Sequence, residues 1–237
     1  MTPLMMSKRT LALAGAAAAA ALATALSASP ALASGSDETL SWGGANPDGT
    51  NVATTDSLTG SLESGSGVFT FDSNGTTVTI SCSAASIVAN ATSNPEAPGT
   101  ADLDLSTLTF TGCTLTGLSG VTVKSIALET AATAEVTDSP DAFVITALNE
   151  VVKLGIPLGT LTCDYGTGTG VSSINGSITN PDATGAGGSI AFADAPVAYI
   201  SGGSACGSTT NPGSFTATFT SVSDASGTGT NTAVYDN

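Results

Sequence analysis

Carboxylates are the most abundant titratable side chains here: the chain holds 19 Asp and Glu against four Lys and Arg, and no His. Without imidazole, Ser-His-Asp and Cys-His arrangements cannot be built, nor can the His-rich zinc sites of hydrolases. A glycoside hydrolase needs only two carboxylates a few ångströms apart, one as acid and one as base or nucleophile. Asp102, Asp104, Glu129 and Glu135 are available for such a pair, but nothing in their spacing sets them apart from solvated surface charge. Sugar subsites also want stacking aromatics, and Trp42 is the single tryptophan. Calcium is the one plausible ion, because it takes hard oxygen ligands and accepts carbonyls from turns. Asp102-Leu103-Asp104 puts two carboxylates on one side of an extended strand, and Asp72-Ser73-Asn74-Gly75 has the look of a partial calcium loop. An outward strand face and a hairpin turn explain the two segments better. The sequence therefore assigns no catalytic residue, no cofactor and no firm metal site.

Phosphate chemistry is equally poorly served. The Gly166 to Gly170 run follows Tyr165 with no helical pattern after it, so it reads as a loop and not as a phosphate cradle. Arginine, the bidentate clamp for carboxylates and phosphates, is missing beyond Arg9.

Lys8 and Arg9 precede an alanine and leucine run from Leu11 to Leu26, and Ala31-Leu32-Ala33 supplies a small-residue exit. Basic head, apolar middle and A-x-A end form a signal peptide over 1–33, cut after Ala33. The apolar run is shorter than the ~20 residues of a spanning helix. Beyond Ala33 all 19 acids remain but only Lys124 and Lys153 among the bases, which gives a formal charge of −17. Such a surface repels nucleic acid and anionic membranes, and the processed chain carries no membrane span.

Cys82, Cys113, Cys163 and Cys206 are an even set in an exported chain, without the close Cys pairs of thiolate zinc sites. Three pairings are possible. Cys82 with Cys113 and Cys163 with Cys206 is favoured, since each then staples one half of the chain. Loops of this size constrain the unfolded state by about 3.5 to 4 kcal/mol each on the chain-entropy model.

The elements that must position these residues are strands. Phe69 and Phe71 alternate with polar neighbours, Asn74-Gly75 makes a two-residue turn, and Val78 and Ile80 alternate again. That turn pairs Phe71 with Val78 and Phe69 with Ile80 on one buried face, which Cys82 shares. Leu103, Leu105, Leu108 and Phe110 slip by one, which a bulge at Ser106-Thr107 restores; Val121, Val123, Ile126 and Leu128 slip in the same way around Lys124-Ser125. Further strand runs are Ala142 to Leu148, Gly159 to Cys163, Ser189 to Phe192, Val197 to Ile200 and Phe215 to Phe219. Asn-Pro steps at Asn46, Asn94, Asn180 and Asn211 begin connections, and Glu150 to Leu154 is read as a short helical turn. The expected fold is all-β: an antiparallel β-sandwich, or two stacked β-sandwich halves, with two disulfides. Residues 34–65 form a polar entry with an edge strand, 66–223 the sandwich with candidate halves 66–155 and 156–223, and 224–237 a loose tail.

The Ala-rich leader, the Thr109-Phe110-Thr111-Gly112-Cys113 and Gly159-Thr160-Leu161-Thr162-Cys163 segments, and the Phe215 to Phe219 strand after Cys206 carry a resemblance. Together they resemble a loose group of secreted β-rich proteins from actinobacteria and related high-GC bacteria. The resemblance implies fold and compartment and no activity.

The expectation is a non-catalytic extracellular or cell-envelope protein that binds a cell-wall, polysaccharide or protein partner through its loops. Two other readings stay open. One is an acidic small-molecule carrier, similar in its Ala, Gly, Ser and Thr-rich, two-disulfide style to the chromophore apoproteins of the neocarzinostatin type. The other is the two-carboxylate glycoside hydrolase.

Overall fold

The computed structural model describes residues 38–45, 48–65, 67–227 and 231–237; the signal segment, its exit at Ala33 and the Asn46-Pro47 step lie outside them. The strands in chain order are β1 (Leu40–Trp42), β2 (Thr50–Asn51), β3 (Ser57–Leu62), β4 (Gly67–Ser73) and β5 (Thr76–Ser93). Then follow β6 (Thr100–Thr116), β7 (Thr122–Leu128), β8 (Ala132–Asp138), β9 (Asp141–Thr146) and β10 (Asn149–Ile156). The last are β11 (Gly159–Gly166), β12 (Ile174–Thr179), β13 (Ser189–Gly202), β14 (Gly213–Asp224) and β15 (Val234–Asp236), with one 3-10 turn over Ser204–Cys206. The fold is all-β, with antiparallel sheets packed together.

The β4–β5 hairpin has the predicted register, Phe71 opposite Val78 and Phe69 opposite Ile80. Asn74 and Gly75 both take positive φ, 52° and 81°, as a two-residue hairpin turn matched to strand twist requires. Both predicted bulges are present: Ser106 is the extra residue where Val88 pairs Thr107 and Ala89 pairs Leu105, and Lys124 is extra opposite Lys153 and Leu154. Each bulge returns the following leucine, isoleucine or phenylalanine to the inside. The runs at 189–192 and 197–200 are one strand, β13, carried through a bulge between Phe192 and Ala195.

Strand pairing closes on itself twice. The first tier runs β6–β8–β9–β12–β13–β14–β3–β5 and back to β6, every step antiparallel. The second runs β6–β7–β10–β11–β13–β14–β4–β5 and back to β6. The long strands β5, β6, β13 and β14 belong to both tiers, and the short strands divide between them. Within each tier every strand therefore has a hydrogen-bonded neighbour on both sides, so these strands offer no fully open edge for pairing with other chains.

Three boundaries expected from the sequence change. The tiers do not follow halves 66–155 and 156–223, since each draws strands from both. Residues 34–65 supply β3, an integral member of the first tier between β14 and β5. The tail expected to be loose ends in β15, which pairs with β1 in a separate three-stranded sheet with β2 and buries Tyr235 and Asp236. The helical turn at Glu150 to Leu154 is a strand: Glu150, Val152 and Leu154 face inward with period two, and pairing to β7 and β11 on both sides outweighs local propensity.

All seven phenylalanines are buried. Phe143, Phe192, Phe215, Phe69 and Phe110 form a chain of ring contacts through the interior, with centroids 6.0, 5.3, 4.9 and 4.9 Å apart. In a chain so rich in small residues, these rings are among the largest buried side chains of the interior, beside leucines and isoleucines such as Leu105, Ile126 and Leu154. Cys82 and Cys113 are cross-strand partners on β5 and β6 with Cα atoms 3.9 Å apart, and their disulfide is formed as predicted. The second, Cys163–Cys206, ties β11 to the 3-10 turn.

Candidate functional site

One end of the first tier holds an apolar cavity of about 50 Å³. Its walls include Ile87 and Ala89 of β5, Leu103 of β6, Val136 of β8 and Phe143 of β9, all inward positions of alternating strands. Thr59, Thr179 and Ser189 add a polar rim. The small sheet of β1, β2 and β15 supplies Leu40, Val234 and Asp236 to the lining. On the same scale a single water needs about 10–15 Å³, so there is room for roughly three to five small groups.

Asp236 is the charged residue of this lining, and it is only 6% exposed. Neither carboxylate oxygen has a hydrogen-bond partner. Burial, reinforced by the charges of Asp141 and Asp138, pushes its carboxyl up to about 7. Burial removes water from the charged form, and the two acids at the turn of the β8–β9 hairpin oppose a third negative charge.

Two asparagines hold the small sheet in place. Asn94 accepts from Leu40 N at 2.8 Å through Oδ1, and its Nδ2 lies at 2.8 Å from Leu40 O and 2.9 Å from Val52 O. Asn180 accepts from Asp236 N at 2.7 Å and donates to Asp236 O at 2.6 Å. Tyr235 adds a bond from its hydroxyl to Asp182 O at 2.7 Å. Each asparagine side chain thereby acts as one more backbone unit beside a short strand, satisfying groups that such a strand leaves open. The sequence marked both residues only as starts of Asn-Pro connections.

The carboxylates singled out from sequence lie elsewhere. Asp102 and Asp104 are on the outward side of β6, since Leu103 and Leu105 face in; Asp102 is half-buried and Asp104 exposed. Glu135 of β8 sits opposite Asp102 on that outer face. Glu129 is exposed after β7 and accepts a hydrogen bond from Asn149 Nδ2. Among the described residues, no group of three or more His, Cys, Asp or Glu is placed to hold a metal ion. Asp72 caps the hairpin turn, accepting from Gly75 N at 2.9 Å.

A second buried acid, Glu150, lies on the inner face of β10, 3% exposed and with Oε1 unpartnered. Burial alone pushes its carboxyl up to about 8. It does not line the cavity. Among the described residues no helix is long and apolar enough to cross a membrane.

Asp236 escaped the sequence reading because it follows a polar, Gly-rich stretch. The short apolar run Ala233-Val234-Tyr235 before it was the available sign of a short buried strand. Compared with protein families, with curated proteins and with solved structures, the chain matches none.

Proposed function

We propose that this chain is a non-catalytic secreted or cell-envelope-associated binding protein, and that its ligand is a small molecule held beneath the β1–β15 sheet. The cavity with one unpartnered carboxyl in an apolar wall carries this reading. Binding sites for small molecules are concave and mostly apolar, with few polar groups that orient the ligand. The lack of histidine and the leader-like first 33 residues support the non-catalytic and exported parts, and two disulfides suit an oxidising compartment. Among the earlier readings this favours the small-molecule carrier over a loop-borne polymer contact. Asp102 and Glu135 face away from the cavity, so a glycosidase gains no support from it.

Native mass spectrometry of protein taken from the culture that makes it tests the reading. A stoichiometric organic adduct is expected, and it is lost when Ala89→Leu fills the cavity. Failure of the purified protein to retain any small apolar molecule would count against it. Polysaccharide turnover abolished by Asp102→Asn would overturn its non-catalytic part.

A further inference from the structure

We propose that the cavity beneath the β1–β15 sheet selects a compact hydrophobic amine, with its ammonium group on the Asp236 carboxylate and its apolar body among Ala89, Leu103, Val136 and Ile178. This rests on the binding reading above and names the ligand class.

A buried carboxylate without a donor is costly, and a positively charged donor offsets that cost better than a neutral one. Asp236 has both oxygens unpartnered and is nine-tenths buried at the cavity wall. Its backbone is pinned at N and O by Asn180, which leaves the side chain as the only part without partners. The charges acting on it are Asp141 and Asp138, both negative. Lys124 and Lys153, the bases beyond the leader, lie on β7 and β10 of the other tier. Asp236 with Asp138 and Asp141 makes a negative cluster that attracts a cation and repels an anion, and the strongly acidic surface raises the local concentration of cations. The apolar walls then reject inorganic cations, which need several oxygen ligands. The available space limits the body to roughly three to five carbon-sized groups.

The test uses 3-methylbutylamine and the neutral 3-methylbutan-1-ol as probes, titrated into the ¹⁵N-labelled, disulfide-intact protein. At pH 8 the amine is expected to shift the amides of Val234, Asp236 and Ile178 and to bind at least tenfold more tightly than the alcohol. That preference disappears in Asp236→Asn, and in the unmodified protein at pH 5.5, where Asp236 is protonated. The pH comparison needs no variant, so it stands even if Asp236→Asn folds poorly. Ala89→Leu abolishes binding of both probes. Equal binding of amine and alcohol at pH 8 would overturn the amine proposal and leave an apolar binding site standing. Binding of neither probe would overturn both.

Discussion

Asn180 grips the main chain of Asp236 at both of its polar atoms, accepting from N at 2.7 Å and donating to O at 2.6 Å, while the Asp236 side chain has no partner at all. The backbone is fully satisfied so that the carboxyl can be left unsatisfied at the cavity wall. Asn180→Ala removes two hydrogen bonds of about 1 kcal/mol each and exposes their partners. The expected result is a loss of about 2 kcal/mol in chemical denaturation, with amide protection lost first at 234–236. Unchanged exchange in β15 would show that the clamp is not what holds it.

Stability should decline from mildly acidic to mildly alkaline pH. Glu150 and Asp236 are held protonated in the folded chain up to about 8 and about 7, whereas unfolded they ionise near 4.5 and 3.8. Between those limits the folded state binds more protons, so stability is full below the ordinary carboxylate range and is lost as pH rises through the folded values. Each group contributes a slope of about 1.4 kcal/mol per pH unit at most. Thermal melts from pH 4 to 9 should fall across this window, and Glu150→Gln should flatten the fall up to about 8. A melting temperature that climbs from pH 5 to 8 would contradict the assignment.

Phe215 touches Phe69, Phe110 and Phe192 at centroid distances of 4.9, 5.7 and 5.3 Å. Its neighbours belong to three different strands, β4, β6 and β13, so they cannot close over a missing ring without shifting the strands that carry them. Phe215→Ala should cost about 3 to 5 kcal/mol. Urea unfolding would measure it, and a cost under 1 kcal/mol would mean the interior collapses easily.

Replacing the Cys82–Cys113 pair by serines should cost about 3.5 kcal/mol, the loop entropy of a 31-residue separation. The 43-residue Cys163–Cys206 loop predicts slightly more, and its loss also frees the 3-10 turn. Denaturation of the two double variants side by side tests this ranking.

The parts of the fold legible in the sequence were those written locally. The Asn74-Gly75 turn fixed a register, the slipped alternations at Ser106 and Lys124 announced bulges, and four cysteines split naturally into two loops. What stayed hidden depends on distant partners. Glu150 and Asp236 are acids by type, and only strands far along the chain make them interior. The two-tier closure is a property of β5, β6, β13 and β14 each serving two sets of neighbours, which no single segment encodes. The site was missed for the same reason, because its defining carboxyl sits on a three-residue strand paired with residues near the other end of the chain.

That pairing of Leu40 with Asp236 sets an order of events. Segments this far apart in sequence carry a large loop-closure cost, so the small sheet is expected to form after hairpins such as β4–β5. Until β1 and β15 meet, the apolar cavity lacks the part of its lining that Leu40, Val234 and Asp236 supply. On the binding reading proposed above, a small molecule would enter or leave at the rate at which β15 separates from β1.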